Sequence, residues 1–271
     1  MNEKTRGYIR TGFGILLLTV MLFPLYWMVN ASLQPSGNTL SSSWFPLSPT
    51  LANYRVAISE QGANLGTSLI IATGTVILSI GVATPAAYAL AKFKFSWIQV
   101  ALLLIMVTQM IPGIVIANGL YSFYEGIGLL NSIPGLILAN ATAAIPFAIL
   151  IMRSFMIGIP PSIIEAARVD GAGQFRAFFS VVVPIARNSL ITAGLFSFLF
   201  AWSDFLFALT LTTKDGMRPV TLGIYQYLGA QVQSWGAVMA TSVMSALPAI
   251  VLLIVAQKYI AAGATGGAVK S

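Results

Sequence analysis

Apolar residues in this chain run in six long blocks that are separated by shorter polar stretches. The blocks cover residues 11–29, 66–90, 97–117, 133–152, 184–211 and 236–256. A helix needs about 20 consecutive apolar residues to cross a bilayer, and each block is long enough. The chain is 57% hydrophobic and only 8% charged, whereas charge approaches a quarter of the residues in soluble domains. The pattern therefore predicts an all-α integral membrane protein with six transmembrane helices.

Basic residues lie almost entirely on one side of the six predicted helices. With a cytoplasmic N-terminus, the inner segments hold Lys4, Arg6, Arg10, Lys92, Lys94, Arg153, Arg168, Arg176, Arg187, Lys258 and Lys270. The outer segments hold Arg55, Lys214 and Arg218. Cytoplasmic loops of membrane proteins carry an excess of Lys and Arg, so both termini are predicted to be cytoplasmic. The net charge of +7 then reflects topology and not a nucleic-acid partner.

The polar segments divide the chain into a leading helix and a five-helix core. Residues 1–31 form the cytoplasmic N-terminus and the first helix, and residues 32–65 form an extracytoplasmic loop with at most short helices. Residues 66–260 form the core, which includes a long cytoplasmic loop at 153–183. Residues 261–271 form a flexible, Gly/Ala-rich cytoplasmic tail.

The chain contains no cysteine and no histidine. Disulfides and thiolate chemistry are therefore excluded, as are the commonest general base and the commonest metal ligand. Nothing in the sequence supplies a nucleophile with its base, so an intramembrane enzyme is disfavoured.

The loop at 153–183 carries the signals of a short polar helix. Ser162 and Glu165 have the S-x-x-E spacing of a capping box, and Gly171 lies where a left-handed C-terminal cap would end the helix. Ala166 and Ala167 make one face small enough for close approach by another protein. We expect this helix to dock a partner.

These residues resemble a known family. Glu165-Ala166-Ala167, Gly171 and the later Pro184 resemble the EAA loop of permease subunits of bacterial ABC importers. The form Glu-Ala-Ala-x-x-Asp-Gly-Ala is most similar to the carbohydrate branch, and in particular to its smaller maltose-type permeases. The resemblance also takes in residues 201–209, 235–248 and 265–270.

The resemblance implies that helix 163–170 docks into an ATPase subunit. Its coupling residues are Glu165, Ala166, Ala167, Arg168, Asp170, Gly171 and Pro184. Glu165 is expected both to cap the helix and to meet the ATPase, while Arg168 and Asp170 supply polar contacts at the rim. Pro184 marks the return of the chain into the membrane. In the tail, Gly266, Gly267 and Lys270 either contact the ATPase or remain solvated.

One acidic residue, Asp204, lies deep in an apolar block. A charge there is expected to line the substrate path or an outer gate, or to anchor the helix end at the membrane surface. Trp202, Tyr225 and Tyr227 are close to it in sequence. Because apolar sugar faces stack on aromatic rings, these three are the candidate substrate-path residues that accompany Asp204.

The leading hypothesis is a permease subunit of an ATP-driven, binding-protein-dependent sugar importer in the bacterial cytoplasmic membrane. The chain has no G-x-x-x-x-G-K-[ST] loop, so ATP and Mg are expected on a partner and no cofactor on this chain. The implied partners are a second permease in a heterodimer, two ATPase subunits, an extracytoplasmic binding protein and membrane lipid. The alternative is a self-sufficient secondary transporter or channel, which needs several buried coupling groups where this chain offers only Asp204.

Overall fold

The computed structural model describes residues 3–35, 43–214, 216–229 and 235–266, and every regular element within these ranges is helical. In chain order these are α1 (Glu3–Ser32), α2 (Ala52–Lys92), α3 (Ile98–Thr108), α4 (Gly113–Ile127), α5 (Ile133–Ile157), α6 (Pro161–Val169), α7 (Gln174–Ala177), a π-helical turn (Phe178–Val182), α8 (Val183–Ile185), α9 (Arg187–Trp202), α10 (Leu206–Leu211), α11 (Val220–Gly229) and α12 (Trp235–Gly266). The predicted all-α class is confirmed for the described part of the chain.

Four helices, α1, α2, α5 and α12, are each long and apolar enough to cross a membrane. Two bent pairs pass the same test when each pair is taken together. They are α3 with α4, and the segment Gln174–Ile185 with α9. The described chain thus has four candidate spans, or six if each bent pair crosses as one unit.

The predicted loop at 32–65 contains more helix than expected. α2 begins at Ala52 and continues for 41 residues to Lys92, so the expectation of at most short helices in this loop is wrong. The polar residues of 52–65 are still helical, because the hydrogen bonds of a helix are made by the backbone and do not require apolar side chains. Hydrophobicity marks where a helix is buried in lipid, and not where it begins.

The predicted span at 97–117 is not one straight helix. α3 ends at Thr108 and α4 begins at Gly113, and the two helices meet at 90°. Pro112 is the N-cap residue of α4 and has no backbone N–H to continue α3, so the helical hydrogen bonding stops before it. α3 has 11 residues and is about 16 Å long, which is about half of a bilayer core.

The predicted span at 184–211 is also broken. The segment Gln174–Ile185 meets α9 at 76°, and α9 ends at Trp202 before the short α10 begins. The first break follows Pro184, and the second contains Asp204. An uninterrupted apolar composition therefore conceals one change of direction and one further break of the helix in this segment.

The chain divides into two compact units. The first comprises Met1–Ala63 and Gly223–Leu247. Within it, the Asn53 amide donates to the carbonyl oxygens of Ser32 and Gln34, both at 2.9 Å, and the Tyr54 hydroxyl lies 2.7 Å from Ser32 Oγ. These bonds join the end of α1 to the start of α2. The most apolar 18-residue stretch of α1 has no buried residue in the described chain, whereas Asn30, Ala31 and Ser32 at the end of the helix are buried.

The second unit comprises Asn64–Leu222 and Pro248–Ser271. Its largest core cluster joins small residues of α2 to α5, to the loop after α5 and to the start of α9. The fully buried members include Ala83, Ala87, Met152, Met156 and Val182. Small residues on α2 allow close packing between helices, as is usual where helices meet in membranes.

Candidate functional site

The helix predicted in the long loop is present as α6, but its first turn differs from the expectation. Pro160 is the N-cap residue, Pro161 is the first helical residue, and no side chain caps this end. A proline suits the first helical position because its φ is fixed and its missing N–H is not needed there. Ser162 therefore lies inside the helix, and the expected capping box with Glu165 is wrong.

The C-terminal end of α6 confirms the predicted left-handed cap. Gly171 has φ +85°, its N–H donates to the Arg168 carbonyl at 3.1 Å, and the Ala172 N–H donates to the Ala167 carbonyl at 2.9 Å. This pair of bonds is the Schellman motif, which satisfies carbonyls that a helix end leaves unpaired. The end of α6 is therefore sharply defined.

α6 is anchored on one side and exposed on the other. Ile164 packs against the largest core cluster. Glu165, Ala166, Arg168 and Asp170 are exposed, and Ala167 is half-buried. Within the described chain the three charged side chains make no hydrogen bond or ion pair.

Two large apolar side chains and a shallow cavity border this face. Val169 is 88% exposed and Phe175 is 80% exposed, so both add apolar surface beside the charged side chains. The cavity has a volume of about 230 Å³ and is lined by Ala167, Asp170, Ala172, Arg176, Ser180 and Val181. Charged, apolar and concave features thus lie together around α6.

Pro184 is exposed and lies in α8, directly after the π-helical turn. The chain changes direction at Ala186, and α9 begins at Arg187. Pro184 thus lies three residues before the start of α9. Its role as the marker of return into the membrane stays a prediction.

Asp204 lies in the break between α9 and α10, and both of its carboxylate oxygens accept hydrogen bonds from backbone N–H groups of α10. Oδ1 accepts from the Phe207 N–H and Oδ2 from the Ala208 N–H, each at 3.1 Å. The Thr221 hydroxyl donates to the Asp204 carbonyl at 2.6 Å. The side chain therefore acts as an N-terminal cap of α10, a role that sequence reasoning had weighed only as a helix-end anchor.

The aromatic candidates divide between the two units. Trp202 is buried and stacks on Phe198, with the ring centroids 5.4 Å apart. Tyr225 is half exposed, and the Tyr227 hydroxyl donates to Glu60; these three residues all belong to the first unit. Trp202 thus has its indole packed in a core cluster, and Tyr227 has its hydroxyl engaged. A substrate role for these residues stays a prediction.

The tail residues are only partly described. α12 continues to Gly266, past the start of the predicted flexible tail at Ala261. Gly266 is therefore the last residue of a helix. Gly267 and Lys270 lie outside the described residues.

Sequence reasoning missed two cations near the root of α6. Lys92 Nζ donates to the Ile159 carbonyl and lies 3.5 Å from the Ile157 carbonyl, while Arg153 Nε donates to the Leu90 carbonyl at 3.1 Å. In the sequence, both residues are ordinary basic residues at the ends of predicted spans. The only sign in the sequence was that the second and the fourth predicted spans are each followed by a basic residue on the same predicted side.

Comparison with known proteins identifies the family. Residues 79–265 match the family described as binding-protein-dependent transport system inner membrane component. The chain belongs to this family. The trehalose/maltose transport system permease protein MalG of Thermococcus litoralis is 30% identical over 276 residues, which cover 100% of this chain and 99% of MalG.

Further relatives give the same placement. The sulfoquinovosyl glycerol transport system permease protein SmoH of Agrobacterium fabrum is 32% identical, over 94% of this chain and 91% of SmoH. The trehalose transport system permease protein SugB of Mycobacterium tuberculosis is 32% identical, over 94% of each chain. Family membership makes this chain a membrane component of a binding-protein-dependent transport system. It does not support the alternative of a self-sufficient secondary transporter or channel.

A solved structure supports the fold. The fold is similar to that of a chain in a bacterial ABC transporter that imports the acidic polysaccharide alginate, with a TM-score of 0.81 and 21% identity. The match covers 95% of this chain and 97% of the other. The chain thus has the fold of that transporter chain.

Proposed function

We propose that this chain is the permease subunit of an ATP-driven sugar importer and that α6 is the helix through which a partner ATPase drives it. The observation that carries the proposal is the exposed face of α6. Glu165, Arg168 and Asp170 are solvated and unpaired in the described chain, and the helix end is fixed by Gly171. Charges that serve no internal contact are available to a partner.

A sugar is the substrate class that the relatives favour. SmoH, MalG and SugB are named for sulfoquinovosyl glycerol, trehalose with maltose, and trehalose. These compounds are small, polyhydroxylated carbohydrates or their glycosides. We therefore assign this chain a sugar or oligosaccharide as cargo.

The partners follow from the same assignment. The family is defined by dependence on a binding protein, and a related fold is known in complex with a periplasmic protein that carries an alginate pentasaccharide. An extracytoplasmic binding protein therefore delivers the cargo. A second permease completes the pathway, and two ATPase subunits hold ATP and Mg.

The topology of the proposal has six crossings with both termini in the cytoplasm. Four long helices, together with the two bent pairs if each crosses as one unit, supply six candidate crossings in the described chain. The excess of basic residues in the segments that include α6 supports placing that helix on the cytoplasmic side. ATP is available on that side.

Purification of the tagged protein from its native membranes in mild detergent tests the proposal. We expect a second permease and an ATPase to co-purify, with two ATPase subunits for each permease pair. The reconstituted complex should take up sugar only with ATP and the binding protein. Recovery of this chain alone, active in vesicles without ATP, would contradict the proposal.

A further inference from the structure

α2 and α5 end side by side, and each helix supplies a cation to the carbonyl groups of the other. Lys92, the last residue of α2, donates to the Ile159 carbonyl just after α5. Arg153, in the last turns of α5, donates to the Leu90 carbonyl in the last turn of α2. The exchange is reciprocal, and we call these two residues the basic clamp.

The clamp satisfies groups that need a partner. The last four carbonyl groups of a helix receive no N–H from within the helix, which holds for Leu90 in α2. Lys92 lies beside the C-terminal end of α5, where a cation is favoured by the helix dipole. Each bond is charge-assisted, and such bonds are stronger than those between neutral groups. The clamp therefore holds two helix ends in one arrangement.

The grip on Ile159 bears directly on α6. Ile159 is buried in the largest core cluster and is followed by Pro160 and Pro161, where α6 begins. Two successive prolines have fixed φ angles and no N–H, so this connection has little freedom to bend. The orientation of the Ile159 carbonyl thus sets the direction in which α6 leaves α5.

We propose that Lys92 and Arg153 are positioning residues that fix α6 relative to α2 and α5, so that a push on α6 moves both helices together. The inference rests on the proposed function, because it assigns the clamp to the path between the ATPase and the membrane helices. Neither residue needs to touch ATP, cargo or the ATPase. Each acts through the backbone that leads into α6.

The chain offers a matched control for Lys92. Lys94 lies two residues further along in the same turn, is exposed, and makes no hydrogen bond or ion pair within the described chain. Lys92→Met and Lys94→Met each remove one positive charge from this turn and keep most of the length of the unbranched side chain. A difference between the two variants therefore reports the bonds of Lys92 and not the local charge.

The first measurement is sugar uptake per ATP hydrolysed, in vesicles that contain the complete transporter and its binding protein. Lys92→Met should lower this ratio about tenfold, Lys94→Met should leave it unchanged, and Lys92→Arg should restore most of it. An unchanged ratio in Lys92→Met would overturn the inference. If the natural protein shows no ATP-dependent uptake, the proposed function fails instead.

The second measurement reports the position of α6 directly. The chain has no cysteine, so spin labels at Ser96→Cys and Val169→Cys are unique, and both sites are exposed. We expect one narrow distance distribution in the natural background and a broad or shifted one with Lys92→Met. The same distribution in both would overturn the inference. Should Lys92→Met fail to assemble, Arg153→Gln is measured in its place with the same expected outcomes.

Discussion

Two regions of this molecule use their acidic residues in opposite ways. At α6, the side chains of Glu165 and Asp170 are exposed and make no hydrogen bond or ion pair in the described chain. Between α9 and α10, Asp204 gives both carboxylate oxygens to its own backbone. A charge whose bonds are complete within the chain stabilises the fold, whereas one left open is available for a partner. The contrast favours a partner-binding role for the acidic residues of α6 and a structural role for Asp204.

The sharpest test of the α6 side is Gly171→Val. A β-branched residue at φ +85° is strained by about 1–2 kcal/mol, so the Schellman end should open and α6 should lose its fixed end. We expect uptake to fall by about tenfold or more, with normal membrane insertion. Uptake and ATP hydrolysis in vesicles measure this.

Gly173→Val is the matched control for that variant. Gly173 has φ −65°, which any residue adopts, and an added Cβ meets nothing within 4 Å. Its uptake should remain close to that of the natural protein. Equal losses at both glycines would show that bulk, and not the left-handed turn, causes the defect.

The Asp204 side predicts a loss of stability. Asp204→Ala removes the cap of α10 and should lower the free energy of unfolding by about 0.5–2 kcal/mol. Asp204→Asn keeps one acceptor oxygen and should retain most of the stability and uptake. Thermal unfolding of the purified complex, together with uptake, measures both. An inactive but stable Asp204→Asn would return the charge to the substrate path.

Glu165→Ala should behave in the opposite manner. Because Glu165 does not cap α6, its loss should change the stability by less than about 0.5 kcal/mol. An exposed ion pair with a partner is worth about 0.2–1 kcal/mol, so ATPase docking should weaken only severalfold. Titration of permease complexes with purified ATPase measures the affinity. Glu125→Ala, at another exposed glutamate, should leave it unchanged.

Tyr227→Phe should have the smallest effect. Burial, and after it the hydrogen bond to Glu60, raise the pKa of Tyr227 to about 12. The stabilisation is therefore complete below the ordinary tyrosine pKa of about 10 and is lost only as the pH rises through about 12. Tyr227→Phe should therefore leave the pH dependence of uptake around neutral pH and the KM for sugar unchanged. A raised KM would instead support the predicted substrate role.

Local rules predicted the end of α6 but not its beginning. The left-handed turn at Gly171 was predictable because only glycine adopts it without strain. The start was not, because Ser162 and Pro161 both carry start signals and the proline, which comes earlier, took the first helical position. Proline suits the first helical position because its φ is fixed and its missing N–H is not needed there, and this leaves Ser162 inside the helix.

The breaks at Pro112 and Asp204 were harder to predict. Apolar residues continue on both sides of each break, so the pattern of hydrophobicity indicates one helix where the backbone forms two. The clamp was beyond prediction for a different reason. Lys92 and Arg153 bond to backbone carbonyls, and every residue has one, so the sequence holds no sign of which carbonyl each cation meets.

The central claim is that α6 docks the ATPase, and site-specific cross-linking tests it most directly. In the cysteine-free chain, Ala166→Cys places a single thiol on the exposed face of α6, and Glu125→Cys places one on an exposed position of α4, between the third and fourth predicted spans and hence on the predicted outer side. In active, purified complexes labelled with a short maleimide–benzophenone reagent, which reacts with the single thiol and on irradiation inserts into C–H bonds of whatever chain lies beside it, the account predicts an ATPase adduct at Ala166→Cys and none at Glu125→Cys. An active complex without an adduct at Ala166→Cys, or with an equal adduct at Glu125→Cys, would contradict it.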